Sequence, residues 1–119
     1  KIMLRELGRL ETSLKCAGES EKLVFLHYPP KYAAYECPEL LMLLEKYGVR
    51  ECYYGHIHGP SCPMAFQGEL NGTSFRLVSA DWLMFKPLLV QYFHIAVAFG
   101  ASICYNTSAV FYKVKKLQR

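Results

Sequence analysis

The chain has 119 residues, of which 52% are hydrophobic and 20% charged, and its formal net charge is +4. This length allows one domain with a modest core, and the composition is globular rather than disordered or fibrous. Apart from a cluster within residues 113–119, the basic residues are scattered. The sequence therefore predicts no nucleic-acid surface, which would show a denser basic stripe interleaved with aromatic residues.

The cysteines and the start of the chain bear on its compartment. Five cysteines occur without regular spacing, and an odd, irregular set argues against a disulfide framework. No basic segment followed by an apolar one opens the chain, so no signal peptide is predicted. We expect a cytoplasmic protein. Because the first residue is Lys1 rather than methionine, we also expect that the chain is a fragment.

The first half of the chain predicts a helix followed by a strand–helix–strand unit. Leucines recur at steps of three and four over residues 2–16, which is typical of an amphipathic helix. A short apolar run over 22–28 predicts a buried strand that ends at two prolines. A helix from Pro38 to Tyr47 and a strand over 49–54 follow. This order favours parallel pairing of the two strands and hence an α/β fold.

The second half predicts a hairpin and then an apolar tail. Asn71-Gly72 lies between two strand-like runs within residues 64–83, and this dipeptide is a strong hairpin signal. Residues 87–112 contain no Asp, Glu, Lys or Arg. Three interpretations of that segment stay open: further core strands or a helix, a membrane anchor or interface segment, and a non-native tail. We accordingly divide the chain into residues 1–90 and an apolar, then basic, tail over 91–119.

Three histidines follow the predicted parallel strands. His27 ends the first strand, and His56 and His58 follow the second in the sequence GHIHG. Parallel strands open their carboxyl ends at one edge of a sheet, where ligands bind, so we expect these imidazoles to converge. Neutral imidazoles bind Zn, Mn, Fe or Ni. Two rings of a His-x-His turn can serve two ions, and metals ~3.5–4 Å apart can clamp a phosphoryl group.

Several neighbouring residues are expected to support this histidine cluster. Gly55 and Gly59 flank the turn and allow unusual backbone angles. Asp81, after the last predicted strand, either orients a ligand histidine or caps a turn. The side chains of four further residues are expected to pack around the site: Tyr28, Pro29, Tyr53 and Tyr54.

The segments LHYPP and YGHIHG, at this spacing, resemble the C-terminal half of calcineurin-like metallophosphoesterases. The run FRLVSADWLMFKPL is similar to the closing strands of small bacterial members. The resemblance covers residues 1–90 and implies the C-terminal part of a four-layer α/β/β/α sandwich. It implies metal-assisted hydrolysis of a phosphoester by two divalent ions (Mn, Fe, Zn or Ni). In that family pattern, His27 and His56 resemble ligands of the second metal and His58 a ligand of the first.

The chain departs from the family at its earlier motifs. Asp-x-His, Gly-Asp-x-x-Asp and Gly-Asn-His-Asp/Glu, which supply the bridging carboxylate and other ligands, do not occur in these residues. No catalytic residue beyond the metal ligands is therefore identified. Two interpretations follow: the C-terminal piece of a complete phosphatase, or a natural truncated remnant. Without a bridging carboxylate two cations would repel each other, so we expect little hydrolase activity from this chain alone.

A non-catalytic alternative uses the cysteines beside the same turn. Cys52, His56, His58 and Cys62 form the pattern C-x3-H-x-H-x3-C, which offers four ligands for a tetrahedral zinc ion. On this interpretation the chain is a metal-binding or interaction module with a structural zinc turn. Membrane association through residues 87–112 would fit the same alternative. Replacement of the cysteines then abolishes metal binding, whereas the phosphoesterase interpretation predicts that replacement of His27 weakens it.

Overall fold

The structure, a computed structural model, describes residues 2–90 and 109–111. Two helices are present: α1, Ile2–Cys16, and α2, Pro38–Lys46. The first six strands are β1, Leu23–Leu26; β2, Lys31–Tyr32; β3, Tyr35–Glu36; β4, Glu51–Tyr54; β5, Gly68–Leu70; and β6, Thr73–Leu77. A last strand, β7, covers Ala109–Phe111, and a 3₁₀ helix covers Gly59–Met64.

The main sheet is mixed, with strand order β5-β6-β4-β1-β7. Strands β1, β4, β6 and β7 are mutually parallel, and β5 runs antiparallel to β6. The predicted parallel pairing of β1 with β4 is confirmed, since Leu23 pairs with Glu51 and Leu26 with Tyr54. The α/β fold class is thus confirmed. The carboxyl ends of β1, β4 and β6 consequently open at one edge of the sheet.

Helices α1 and α2 pack on one face of the sheet. Leu10 and Leu14 of α1 join Leu44 of α2 in a buried cluster with alternate strand residues such as Val24 and Tyr54. The helix predictions are confirmed because the leucine spacing places one apolar stripe against the sheet. On the opposite face of the sheet, Tyr53 of β4 is buried and stacks on Phe25 of β1, with ring centroids 5.0 Å apart.

The Asn71-Gly72 hairpin is confirmed as the turn between β5 and β6. Asn71 has φ 51° and Gly72 has φ 77°, and positive φ at both central residues is what a type I′ turn requires. The strands are shorter than predicted, however. The first strand of the hairpin begins at Gly68 rather than at Met64, and Met64 is instead the last residue of the 3₁₀ helix. Turns over residues 80–85 follow β6.

The loop after β1 contains structure that the sequence did not indicate. Strands β2 and β3 form a small antiparallel hairpin, with Tyr32 paired to Tyr35. An isolated bridge between Tyr32 and Ala65 attaches this hairpin to the end of the 3₁₀ helix. The hairpin therefore stands beside the segment that follows the histidine turn.

Most of the apolar segment 87–112 lies outside the described residues. Residues 87–90 and strand β7 are its described parts, and β7 pairs in parallel with β1. The three interpretations of this segment therefore stay predictions. Within the described part of the chain, neither helix combines the length and apolar character needed to cross a bilayer.

Candidate functional site

The structure brings His27 and His56 together at the carboxyl edge of the sheet. His27 follows β1 and His56 lies two residues beyond β4, and these strands are neighbours. His27 Nε2 and His56 Nδ1 are 3.1 Å apart, and the ring centroids are 5.0 Å apart. Two nitrogens that bind one cation at ~2.1 Å with bond angles near 90–109° lie roughly 3.0–3.4 Å apart. The pair therefore has the spacing of two ligands of one ion.

His56 adopts an uncommon backbone conformation that directs it to this position. Its φ is 70°, in the left-handed region that few non-glycine residues occupy. The Ile57 N–H donates to the Gly55 carbonyl at 2.8 Å, which closes a tight turn at this point. A non-glycine residue keeps a left-handed backbone conformation only where its surroundings fix it, and such residues cluster at functional sites.

The surroundings of His56 favour its neutral form. Burial lowers the pKa of the His56 imidazole, and the neighbouring His27 and His58 lower it further because their charges oppose its protonation. Neutral imidazole is the form that binds metal ions. Alternatively, one ring can donate a hydrogen bond to the other across the same 3.1 Å. In the first arrangement a cation lies between the two ring nitrogens, and in the second a hydrogen-bonded proton does.

His58 is held by a carboxylate from the segment that follows β6. His58 Nδ1 donates to Asp81 Oδ1 at 2.9 Å, and the Gly59 N–H donates to Asp81 Oδ2 at 2.7 Å. Both hydrogen bonds lower the pKa of Asp81 below its usual range, and the bond from the Gly59 N–H has the larger effect. With the proton of His58 on Nδ1, the Nε2 lone pair is free for a ligand. Asp81 also accepts from the Trp82 N–H at 3.0 Å, so it both orients His58 and caps a turn.

The two glycines of the turn differ in what they require. Gly59 has φ 58°, a conformation in which a side chain would be strained. Gly55 has ordinary φ, but it packs against β1 and the segment after β6: a Cβ there would lie 3.9 Å from the His27 carbonyl and 4.0 Å from Ser79 Oγ. Ser79, which the sequence analysis did not single out, therefore lies next to Gly55. Its hydroxyl is buried and has no hydrogen-bond partner among the described residues.

A cleft of about 550 Å³ opens beside the histidines. It is lined by Tyr28, Pro29, Tyr32, Tyr35, His56, Ile57, His58 and Ser61. Tyr28 lies against His56 with ring centroids 4.3 Å apart, and it meets His27 edge-on at 4.7 Å. Tyr28 and Pro29 thus pack around the site as predicted.

The prediction that Tyr53 and Tyr54 pack around the same site is wrong. Tyr53 faces the sheet surface opposite to the helices, and its hydroxyl donates to Glu51. Tyr54 is part of the core, where its hydroxyl donates to the Phe66 carbonyl. Period-two alternation along β4 sends neighbouring tyrosines to opposite faces of the sheet, and neither of them points along the strand toward its carboxyl end.

The ligands of the alternative zinc turn are not grouped. Cys52 is fully buried within β4, and burial raises the pKa of its thiol strongly. Cys62 Sγ lies 3.6 Å from the Ile57 carbonyl, to which it donates. In the described part of the chain, no set of three or more His, Cys, Asp or Glu side chains is placed to hold one metal ion. The described residues thus offer a two-nitrogen pair rather than a closed metal site.

Comparisons with protein-family models, with curated proteins and with solved structures found no match to this chain.

Proposed function

We propose that these residues form part of a metal-assisted phosphoester hydrolase of the calcineurin-like metallophosphoesterase type. One observation carries the proposal: His27 Nε2 and His56 Nδ1 lie 3.1 Å apart at the carboxyl ends of adjacent parallel strands. This separation fits two ligands of one divalent ion. The tight turn closed by the Gly55 carbonyl and the Ile57 N–H has the positive φ of His56 at its centre, and this conformation supports the same assignment because it turns the imidazole toward His27.

In this proposal the chain's own residues have separate tasks. His27 and His56 hold one cation, and His58 presents Nε2 to a second cation while Asp81 fixes its ring. When bound, such a metal pair supplies Lewis-acid polarisation of the phosphoryl oxygens. The described residues contribute no bridging carboxylate, so we expect them to bind cations weakly and to show little hydrolase activity by themselves.

Titration of the purified chain with Mn²⁺ and Zn²⁺ tests the assignment of the ligands. Three variants are compared with the wild type: His27→Ala, His56→Gly and Cys62→Ala. Glycine is chosen at position 56 because it accepts the positive φ without strain. We expect each histidine variant to lose at least about tenfold in cation affinity, since changes outside the ligand set alone cost roughly 10–100-fold. The cysteine variant should keep the wild-type affinity.

The opposite pattern of cation affinities among the variants would contradict the proposed ligands. If Cys62→Ala loses the cation and His27→Ala keeps it, the chain contains a structural zinc turn instead. Hydrolysis of a generic phosphodiester by the wild type with Mn²⁺, lost in His56→Gly, would contradict the expectation that the described residues are insufficient for activity.

A further inference from the structure

The cleft beside the histidines has an aromatic wall that the proposed reaction does not by itself require. Tyr32 and Tyr35 face each other across the β2–β3 hairpin, and Tyr28 continues this wall to His56. Tyr35 is 57% exposed and Tyr28 is 39% exposed. Exposed tyrosines grouped on one concave surface offer ring faces to a ligand, because a tyrosine combines a large apolar face with a polar tip.

The hairpin that carries this wall is fixed to the rest of the molecule. Tyr32 bridges to Ala65, and the Ala33 N–H donates to the Met64 carbonyl at 3.4 Å. At the base of the hairpin, the Cys37 N–H donates to the Pro30 carbonyl at 2.9 Å. The tyrosines are therefore positioned before any ligand arrives, which limits the entropy lost on binding.

The lining of the cleft also indicates which ligands it disfavours. Among the described residues that line it, there is no Lys, Arg, Asp or Glu. A group with a further negative charge, such as a second phosphate or a carboxylate, would find no basic partner there. An uncharged group that buries apolar area fits the lining better, and about 550 Å³ lies within the range typical of small-molecule sites.

From these observations we infer that the substrate is a phosphomonoester or phosphodiester whose leaving group carries a flat, uncharged aromatic ring. The ring lies in the cleft against Tyr28, Tyr32 and Tyr35, and the phosphoryl group lies at the histidine end. A nucleobase and a simple aryl group share this chemistry. The inference rests on the proposed function, because the histidines must hold the phosphoryl group for the ring to enter the cleft in this direction.

The experiment compares matched ligand pairs by isothermal titration calorimetry on the full chain with Mn²⁺. Methyl phosphate is paired with phenyl phosphate, and ribose phosphate with adenosine monophosphate, so that within each pair the main difference is the ring. We expect the ringed member to bind at least about tenfold more tightly, since stacking on one aromatic side chain gives a gain of this order. A gain in affinity in both pairs would show that the cleft accepts any flat ring. A gain in only one pair would show whether the cleft prefers the aryl group or the nucleobase.

Three tyrosine variants connect the gain to the cleft. Tyr35→Leu should remove most of the ring-dependent gain while it leaves the binding of methyl phosphate unchanged. Tyr35→Phe keeps a ring at this position and should keep the gain. Tyr47→Leu is the matched control, because Tyr47 follows α2 and bonds to Glu11 rather than lining the cleft.

Each result separates the two proposals. If methyl phosphate binds only with Mn²⁺ and this dependence is lost in His56→Gly, the phosphoryl site is supported. Ring-dependent gains near onefold would then overturn the substrate class alone, as would a gain that persists in Tyr35→Leu. Binding of methyl phosphate that needs neither Mn²⁺ nor His56 would overturn the proposed function, and with it the assignment of the ring.

Discussion

At the scale of single residues, the candidate site depends on how each imidazole is oriented. His56 is turned toward His27 by a positive φ, whereas His58 is turned by a carboxylate. The intervening Ile57 is buried and anchors the turn in the core, so the flanking rings point to the surface. The His-x-His spacing thus gives two exposed imidazoles on one buried anchor.

Asp81 is the residue whose replacement should change this geometry without removing a proposed ligand. Asparagine has one oxygen, so Asp81→Asn cannot accept from both His58 and Gly59 as the carboxylate does. We expect faster hydrogen exchange at the Gly59 amide, measured by NMR, and a roughly tenfold loss of cation affinity. Glu69→Gln, which removes an exposed carboxylate from β5, is the control. Unchanged exchange at Gly59 would mean that Asp81 does not hold the turn.

At the scale of secondary structure, the glycines distinguish turn chemistry from helix propensity. Gly72 has φ 77° in the β5–β6 turn, whereas Gly8 lies within α1 with open space around it. We expect Gly72→Ala to destabilise the protein by about 1 kcal/mol and Gly8→Ala to stabilise it by roughly 0.5–1 kcal/mol. Urea unfolding of both variants measures the two effects. A stabilised Gly72→Ala variant would show that this turn is not of type I′.

The contact between α1 and α2 contains a carboxylate with a strongly shifted pKa. Glu11 accepts from Lys46 Nζ at 2.8 Å and from the Tyr47 hydroxyl at 2.9 Å. These two hydrogen bonds lower the pKa of Glu11 from 4.5 to about 2, and the bond from Lys46 has the larger effect. A carboxyl group with a depressed native pKa stabilises the fold fully above its unfolded value and loses that contribution as the pH falls through the native value.

The Glu11 contribution therefore has a defined pH window. We expect Glu11→Gln to unfold at a lower urea concentration than the wild type above pH 4.5, and the difference to shrink as the pH falls toward about 2. Because Glu11 is partly exposed and its partner Lys46 is exposed, added salt should also reduce the difference. A difference that is constant across this window would mean that packing, rather than ionisation, gives Glu11 its effect.

At the scale of the whole molecule, the sequence predicted what periodicity and turn residues determine. The leucine stripe of α1, the proline start of α2 and the Asn71-Gly72 turn each have a local physical cause, and each was found where predicted. The parallel pairing of β1 with β4 followed from the order of elements, because two strands joined through a helix can pair in parallel by a crossover connection. Convergence of His27 and His56 followed from that topology.

Other parts of the structure depend on contacts that leave no periodic pattern. Strands β2 and β3 have two residues each, too few for alternation to show, and the hairpin is joined to Ala65 across the fold. The sequence therefore did not predict the aromatic wall of the cleft, although KYAAYEC places Tyr32 and Tyr35 at the spacing of a tight hairpin. For Asp81 the sequence offered either the orientation of a histidine or the capping of a turn, and only the tertiary structure shows that its carboxylate accepts from both His58 and the Gly59 N–H.

The proposed function depends above all on the binding of one cation by His27 Nε2 and His56 Nδ1. NMR of the imidazole nitrogens, recorded while the full chain is titrated with diamagnetic Zn²⁺, tests it most directly because each ring nitrogen is observed separately. We expect the signals of these two nitrogens to shift together at the same metal concentration. In His27→Ala and in His56→Gly, the histidine that remains should not shift at that concentration. A Zn²⁺ response confined to cysteine resonances, or imidazole signals that remain those of a hydrogen-bonded pair, would contradict it.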